Sequence, residues 1–465
     1  MADASPYILI TALIASLILI GANALSPQQG SVFGNLLSYD RLGGFFGVVT
    51  LMVTLFVTVS SVVFTNERPN APLYYSLLSF TALGMLFLSY AADLLMLFIA
   101  WELMSLPTYA LAGFEKRRAQ SNEAAVKYAI IGALSSAIIL YAISLAYGFA
   151  GTTQIALAVR AIASQPFNPL ASTAILLFVV GFGFKMSIVP FHMWAPDAYE
   201  GAPPTISTLF AAATKKAGFV AAIRVLLAVT TLYAVTQNPI FSTANIFAVL
   251  ALVTMTLGNI AALTQKSMTR LLAYSSIAQA GYILMGFVMY AYSSGVGGYQ
   301  QEAAMGMTGA LFHVFNHAVM KGAAFLVASL VLFKLRRADV QAYGGLARRM
   351  PVSAFTLTVA FLALAGVPPL SGFWSKLLLF LSVMNGPYSW LAVAGILNSA
   401  FSIGYYAWII KRMYMDESET TEKVSEPTGF VVVFAVAVAL MIGLGIFPGP
   451  AIAFAQNAIP AIFAH

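Results

Sequence analysis

The sequence predicts an all-α polytopic membrane protein of about thirteen transmembrane helices, built as two inverted five-helix repeats that each contain a broken helix. Three observations carry this. Hydrophobic residues make up 60% of the 465-residue chain and charged residues 8%, whereas about a quarter of a soluble domain is charged. Apolar stretches of the ~20 residues needed to cross a hydrocarbon core about 30 Å thick recur along the whole chain. The basic residues between those stretches are sorted to one side.

Taken in order, the spans fall at about 6–23, 42–64, 72–91, 93–114, 123–149, 171–200, 204–231, 243–263, 269–292, 302–333, 352–383, 388–411 and 428–455. The first lacks the basic start of a secretory signal, so it is read as a retained helix despite the small-residue triplet Ala22-Asn23-Ala24. The sixth and eleventh are too long for simple spans and carry Pro190 and Pro368-Pro369. Proline lacks an amide proton and clashes with the preceding turn, so each is expected to be broken there. The breaks lie five spans apart, which makes the two helices cross in opposite directions, as in an inverted-topology repeat. This divides the chain into N-terminal helices (1–71), a first repeat (72–231), a second repeat (243–411) and an acidic loop with a last helix (412–465). The loop from Asp416 to Glu426 reads as a solvated connection.

Thirteen alternating crossings put Arg68, Lys116, Arg117, Arg118, Lys266, Arg270, Lys334, Arg336, Arg337, Arg348, Arg349, Lys411, Arg412 and Lys423 on the side of the N-terminus, against Arg41 and Arg160 on the other. The positive-inside rule then places the N-terminus in the cytoplasm and the C-terminal His465 outside, as expected for a multi-pass protein of a prokaryotic plasma or inner membrane. The net charge of +7 serves this orientation, and no nucleic-acid partner is expected. Cysteine is absent, which excludes disulfides and thiolate-held iron–sulfur clusters. There is no glycine-rich nucleotide loop. No cofactor is expected in this chain.

The remaining basic residues, Lys127, Lys185, Lys215, Lys216, Arg224, Lys321 and Lys376, lie within spans. A charge in a bilayer-spanning segment faces protein, water or a counter-charge, and marks an ion pathway by default. Lys185 precedes the first break and Lys376 follows the second. Glu102, nine residues past Asp93, lies near mid-bilayer at about 1.5 Å rise per residue, and Lys185 or Lys127 is available as its partner. Glu123 and Lys127 are four apart, an ordinary helix pair. Lys215 and Lys216 are adjacent, about 100° apart on a helix. Lys215 is therefore assigned to the polar path and Lys216 to a subunit contact or another water pocket. Arg224 reads as structural. His313, His317 and Lys321 follow at steps of four and share one helical face. Two histidines four apart can chelate a metal, but nothing acidic or sulfur-bearing is nearby, and a proton relay is the better reading.

The segments WELMSLPTYALAGF, SNEAAVKYAIIGALSSAIILYAISLAYGFAGT, GFGFKMSIVPFHMWAPDAYEGAPPTISTLFAAATKKAG, TRLLAYSSIAQAGYILMG and GVPPLSGFWSKLLLF resemble the antiporter-like membrane subunits of complex I, the NADH:quinone oxidoreductase family. The similarity runs over about residues 70–415 and is greatest to the N-type subunit, including versions fed by a reduced deazaflavin or ferredoxin. It implies that Glu102 and Lys185 are the family's glutamate–lysine pair, Lys215 its central lysine, Lys376 its second-half lysine and Lys127 the lysine after SNEAAVKY. It implies proton translocation coupled to quinone or phenazine reduction, with flavin and iron–sulfur clusters in partner subunits. The implied partners are other antiporter-like and small membrane subunits, lipid and, indirectly, a peripheral redox arm. Members commonly have fourteen spans, and one is missing here before Glu102. FNHAVMKGAAF is closer to the M- and L-type subunits, while the long lateral helix of the L-type is not expected. The competing readings are a cation/proton antiporter without electron transfer and a structural subunit whose charges only hold helices together.

Overall fold

The computed structural model describes residues 4–24, 29–65, 69–164, 168–227, 242–296, 298–418 and 422–459. The expected His465 end and the last residues of the seventh span lie outside them. Among the described residues the chain is helical apart from connections and one small hairpin, Gly30–Val32 paired antiparallel with Leu37–Tyr39. The helices run α1 Ser5–Ala24, α2 Arg41–Thr65, α3 Ala71–Tyr90, α4 Leu94–Ala112, α5 Ala119–Ala150, α6 Ile155–Ser164, α7 Pro169–Met186, α8 Trp194–Gly201, α9 Pro204–Leu209 and α10 Lys215–Ala222. They continue as α11 Thr243–Leu263, α12 Met268–Val296, α13 Gln300–Leu335, α14 Leu346–Arg349, α15 Pro351–Ala365, α16 Ser371–Met384, α17 Ser389–Met415, α18 Thr428–Ile446 and α19 Gly449–Asn457.

Eleven of these are long and apolar enough to cross a membrane. The run from α9 to Leu227 and the pair α15–α16 supply the other two expected crossings. Both expected breaks are present. The first span of the pair ends at Met186, where Ser187 takes a left-handed φ of 54° and its N–H bonds Gly183 O and Phe184 O. The chain then passes Pro190 to reach α8. The second ends at Ala365, followed by Gly366 at φ 88°. Only glycine suits that backbone cheaply, and a Cβ there would stand 3.1 Å from Lys376 Cδ.

Three expectations are corrected. The last span is not continuous to 455, because α18 ends at Ile446 and Pro448, which cannot extend it, leads into α19. Residues 155–164 form a helix rather than a bare loop. The acidic connection is also more than a solvated loop. Glu426 accepts the backbone N–H groups of Val352 (3.1 Å) and Ser353 (2.7 Å), capping the start of α15, where free donors and the helix dipole favour an anion.

The centre of the protein is formed by α12 and α13, buried almost throughout, with α2 and the α9–α10 run packed against them. The α9–α10 run is interrupted by π-helical turns at Phe210–Thr214 and Ile223–Leu227. It is buried on every side from Thr205 to Ile223. Its far end is tied to the N-terminal part by Arg224, which pairs with Asp40 (Nη1–Oδ2 2.9 Å, Nη2–Oδ1 2.8 Å) and donates to Ser89 O through Nε (2.8 Å). Burial alone would raise the Asp40 carboxyl, but the adjacent guanidinium more than reverses this and holds it below the ordinary carboxylate value.

Candidate ion-translocation site

Seven titratable side chains form the interior row: Lys185, Lys215, Lys216, His313, His317, Lys321 and Lys376, each at most 2% exposed. Among the described residues none of them has a carboxylate within 4.0 Å, since the ion pairs present involve other residues. An uncompensated ammonium in a dry interior is costly. The hydrogen bonds below show what each has instead.

Lys185 sits in the last turn of α7, where the carbonyl end of the helix favours a cation. Its Nζ donates to Tyr128 Oη (2.9 Å, α5) and Ser105 Oγ (3.1 Å, α4). The rings of Trp101, Tyr109 and Tyr128 lie 5.2–6.0 Å from it, within cation–π range. Glu102 is one turn from Ser105 on the same helix, but its carboxylate accepts a hydrogen bond from Ser136 Oγ. The structure thus brings Glu102 and Lys185 to one site without direct contact.

Lys215 donates to Ser276 Oγ (3.0 Å) and O (3.2 Å), and Lys321 to Ser275 Oγ (2.6 Å). Ser275 in turn meets Tyr406 Oη. His313 bonds Ser375 through Nδ1 (3.0 Å) and Gln279 Oε1 through Nε2 (2.9 Å). Gln279 Nε2 reaches Leu364 O (3.4 Å), the carbonyl that also accepts from Lys376 Nζ (2.8 Å). Lys376 also donates to Ala365 O (3.2 Å) and Ser399 Oγ (2.8 Å). Its ammonium therefore caps the carbonyl end of α15, which the break at Gly366 leaves free.

Lys127 stands apart. Its side chain is 45% exposed and pairs with Glu123 (2.7 Å) and Asp197 (2.8 Å). Asp197 also holds Arg270 (2.7 Å), so this network ties α5, α8 and α12 together at the helix ends. The placement expected for Lys216 is corrected: it is fully buried, and its Nζ lies 2.5 Å from His317 Nδ1. Because the α9–α10 run is enclosed on all sides, two lysines 100° apart both meet protein, one on α12 and one on α13. Also unforeseen was α12 as the polar scaffold, with Ser275, Ser276 and Gln279 receiving three members of the row. The visible signal was three polar residues within five, inside the apolar stretch between Arg270 and Ser293.

Broken membrane helices, a row of buried lysines and histidines, and hydroxyl or carbonyl partners in place of carboxylates define a polytopic ion-translocating membrane protein. Residues 91–402 match the family described as NADH:quinone oxidoreductase/Mrp antiporter, TM, and the chain belongs to it. It is 42% identical over 440 residues to F(420)H(2) dehydrogenase subunit N of Methanosarcina mazei, covering 92% of this chain and 86% of that one. To NADH-quinone oxidoreductase subunit N of Desulfitobacterium hafniense it is 37% identical over 430 residues, covering 91% and 85%. A chain of respiratory complex I from Thermus thermophilus superposes with a TM-score of 0.80 at 30% identity, covering 97% of this chain and 94% of that one.

Proposed function

We propose that the chain is a proton-translocating, antiporter-like subunit of a redox-driven, complex I-type dehydrogenase that reduces a quinone or phenazine. It carries no redox group itself. Flavin and iron–sulfur clusters belong to partner subunits, and other antiporter-like and small membrane subunits flank it. The observation that carries the reading is the interior row, running from Lys185 beside one helix break to Lys376 beside the other. Its members are hydrogen-bonded in clusters, not in one unbroken chain, which suits a transfer gated by small movements. A change at the Glu102–Lys185 site shifts a proton toward Lys215. The His313, His317 and Lys321 face passes it on, and Lys376 releases it across the membrane. Residues 72–231 and 243–411 act as the two inverted halves, with the N-terminus cytoplasmic, as the basic loops support. Lys127 acts through its cytoplasmic ion-pair network.

The test uses the whole complex purified from its native membrane. Flavin absorbance and iron–sulfur paramagnetic signals are expected to copurify with this chain, and Lys215→Met is expected to abolish proton uptake into liposomes while the complex stays assembled. Recovery of a small, colourless, all-membrane assembly would favour a cation/proton antiporter instead.

A further inference from the structure

We infer that Lys216, paired with His317, is a proton-carrying member of the row and the point at which the first half of the chain hands a proton to the second. This rests on the translocation reading above. Lys216 lies on α10 and His317 on α13, 101 positions apart, with Nζ and Nδ1 separated by 2.5 Å. Both are 0% exposed. Among the described residues this is the one hydrogen bond that joins a titratable group of α7–α10 directly to a titratable group of α11–α17 in the buried row. Lys215, its neighbour in sequence, ends instead on the hydroxyl and carbonyl of Ser276.

While Lys216 is charged, it sets the tautomer of His317. An ammonium has donors and no acceptor, so Nδ1 accepts and the neutral ring carries its proton on Nε2. That Nε2 has no hydrogen-bond partner among the described residues, so its proton is not held by a fixed acceptor. The ring centroids of His317 and His313 are 6.3 Å apart, and Lys321 lies four residues on along the same face. The step balances: one proton moves from Lys216 Nζ to Nδ1, the proton on Nε2 passes to a neutral Lys321 Nζ one turn on along the face, and the imidazole is left neutral as its other tautomer. Lys216 is left as a neutral amine, ready to be recharged from the Lys185–Lys215 side.

The test compares Lys216→Met, Lys216→Arg and Lys215→Met in the complete complex reconstituted in liposomes, reading protons translocated per electron and, separately, subunit content. Arginine keeps the charge and the donors but does not deprotonate, so a structural or purely electrostatic role survives it and a proton-carrying role does not. The expected result is at least a tenfold loss of translocation for both Lys216 variants in assembled complexes. Normal translocation by Lys216→Arg or Lys216→Met, with Lys215→Met inactive, overturns the inference and leaves the translocation reading standing. Normal translocation by all three overturns both. Failure of Lys216→Met to assemble assigns the lysine to packing and likewise overturns the inference.

Discussion

The two helix breaks hold their lysines by different chemistry. At the first, Lys185 belongs to the helix that ends, and it is surrounded by side chains: two hydroxyls and three aromatic rings, with Glu102 one turn from Ser105. The carbonyls freed at that break are taken elsewhere, Phe184 O by Trp194 Nε1 (2.9 Å) and Gly183 O by Ile188 N (3.1 Å). At the second, Lys376 belongs to the helix after the break and is held by the carbonyls of the helix before it, with one hydroxyl and the ring of Tyr282 at 4.7 Å. Side chains can rotate or change charge, whereas a helix end is a fixed dipole. The first site can thus be rearranged by its side chains, whereas the second sets Lys376 against the fixed dipole of a helix end.

The largest expected effect tests the switch. Glu102→Gln and Lys185→Met should each reduce proton translocation to background in an assembled complex, and the double variant should be little worse than either. Breaking a direct buried ion pair costs roughly 3–5 kcal/mol. Glu102 rests on Ser136 and Lys185 on Ser105 and Tyr128, so each single change should cost stability well below that. A double variant that pumps normally would make the pair structural and remove the contrast between the breaks.

Next comes Tyr128→Phe, which keeps the ring under Lys185 and deletes its hydroxyl. A buried donor left without its acceptor costs about 1–3 kcal/mol, so translocation should fall about tenfold, with assembly unchanged. Initial rates of internal acidification in liposomes would measure it. A wild-type rate would show that Ser105 alone suffices.

Much of this was legible in the sequence. The broken spans were marked by Pro190 and Pro368-Pro369, and the shared face of His313, His317 and Lys321 by their spacing of four. What escaped depended on packing. Adjacent lysines diverge from a helix axis, but only the enclosure of α10 decides that both divergent directions are interior, which brought Lys216 to His317. Opposite charge offers Glu102 either Lys185 or Lys127 as a partner. Spacing along a chain does not reveal that Ser136 on a third helix reaches the carboxylate first. Lys127 carries the same charge as the others, and only its place at an exposed helix end pairs it with Glu123 and Asp197.

The smallest expected effect bears on the second break. Ser399 Oγ accepts from Lys376 Nζ (2.8 Å) and donates to Ala365 O (2.9 Å). Ser399→Ala removes both bonds, yet Lys376 keeps Leu364 O at 2.8 Å and Ala365 O at 3.2 Å. Ala365 O loses one donor and keeps the ammonium, so no buried group is left wholly unsatisfied. The loss is then that of an ordinary hydrogen bond, about 1 kcal/mol or less, and translocation should fall by no more than about fivefold. The informative quantity is the ratio of this loss to that of Tyr128→Phe, measured in the same liposomes. A ratio well below one supports a cation fixed by the helix end at the second break and by exchangeable hydroxyls at the first. Equal losses would mean that the carbonyls of α15 contribute little, and that both lysines depend on side-chain hydroxyls to the same degree.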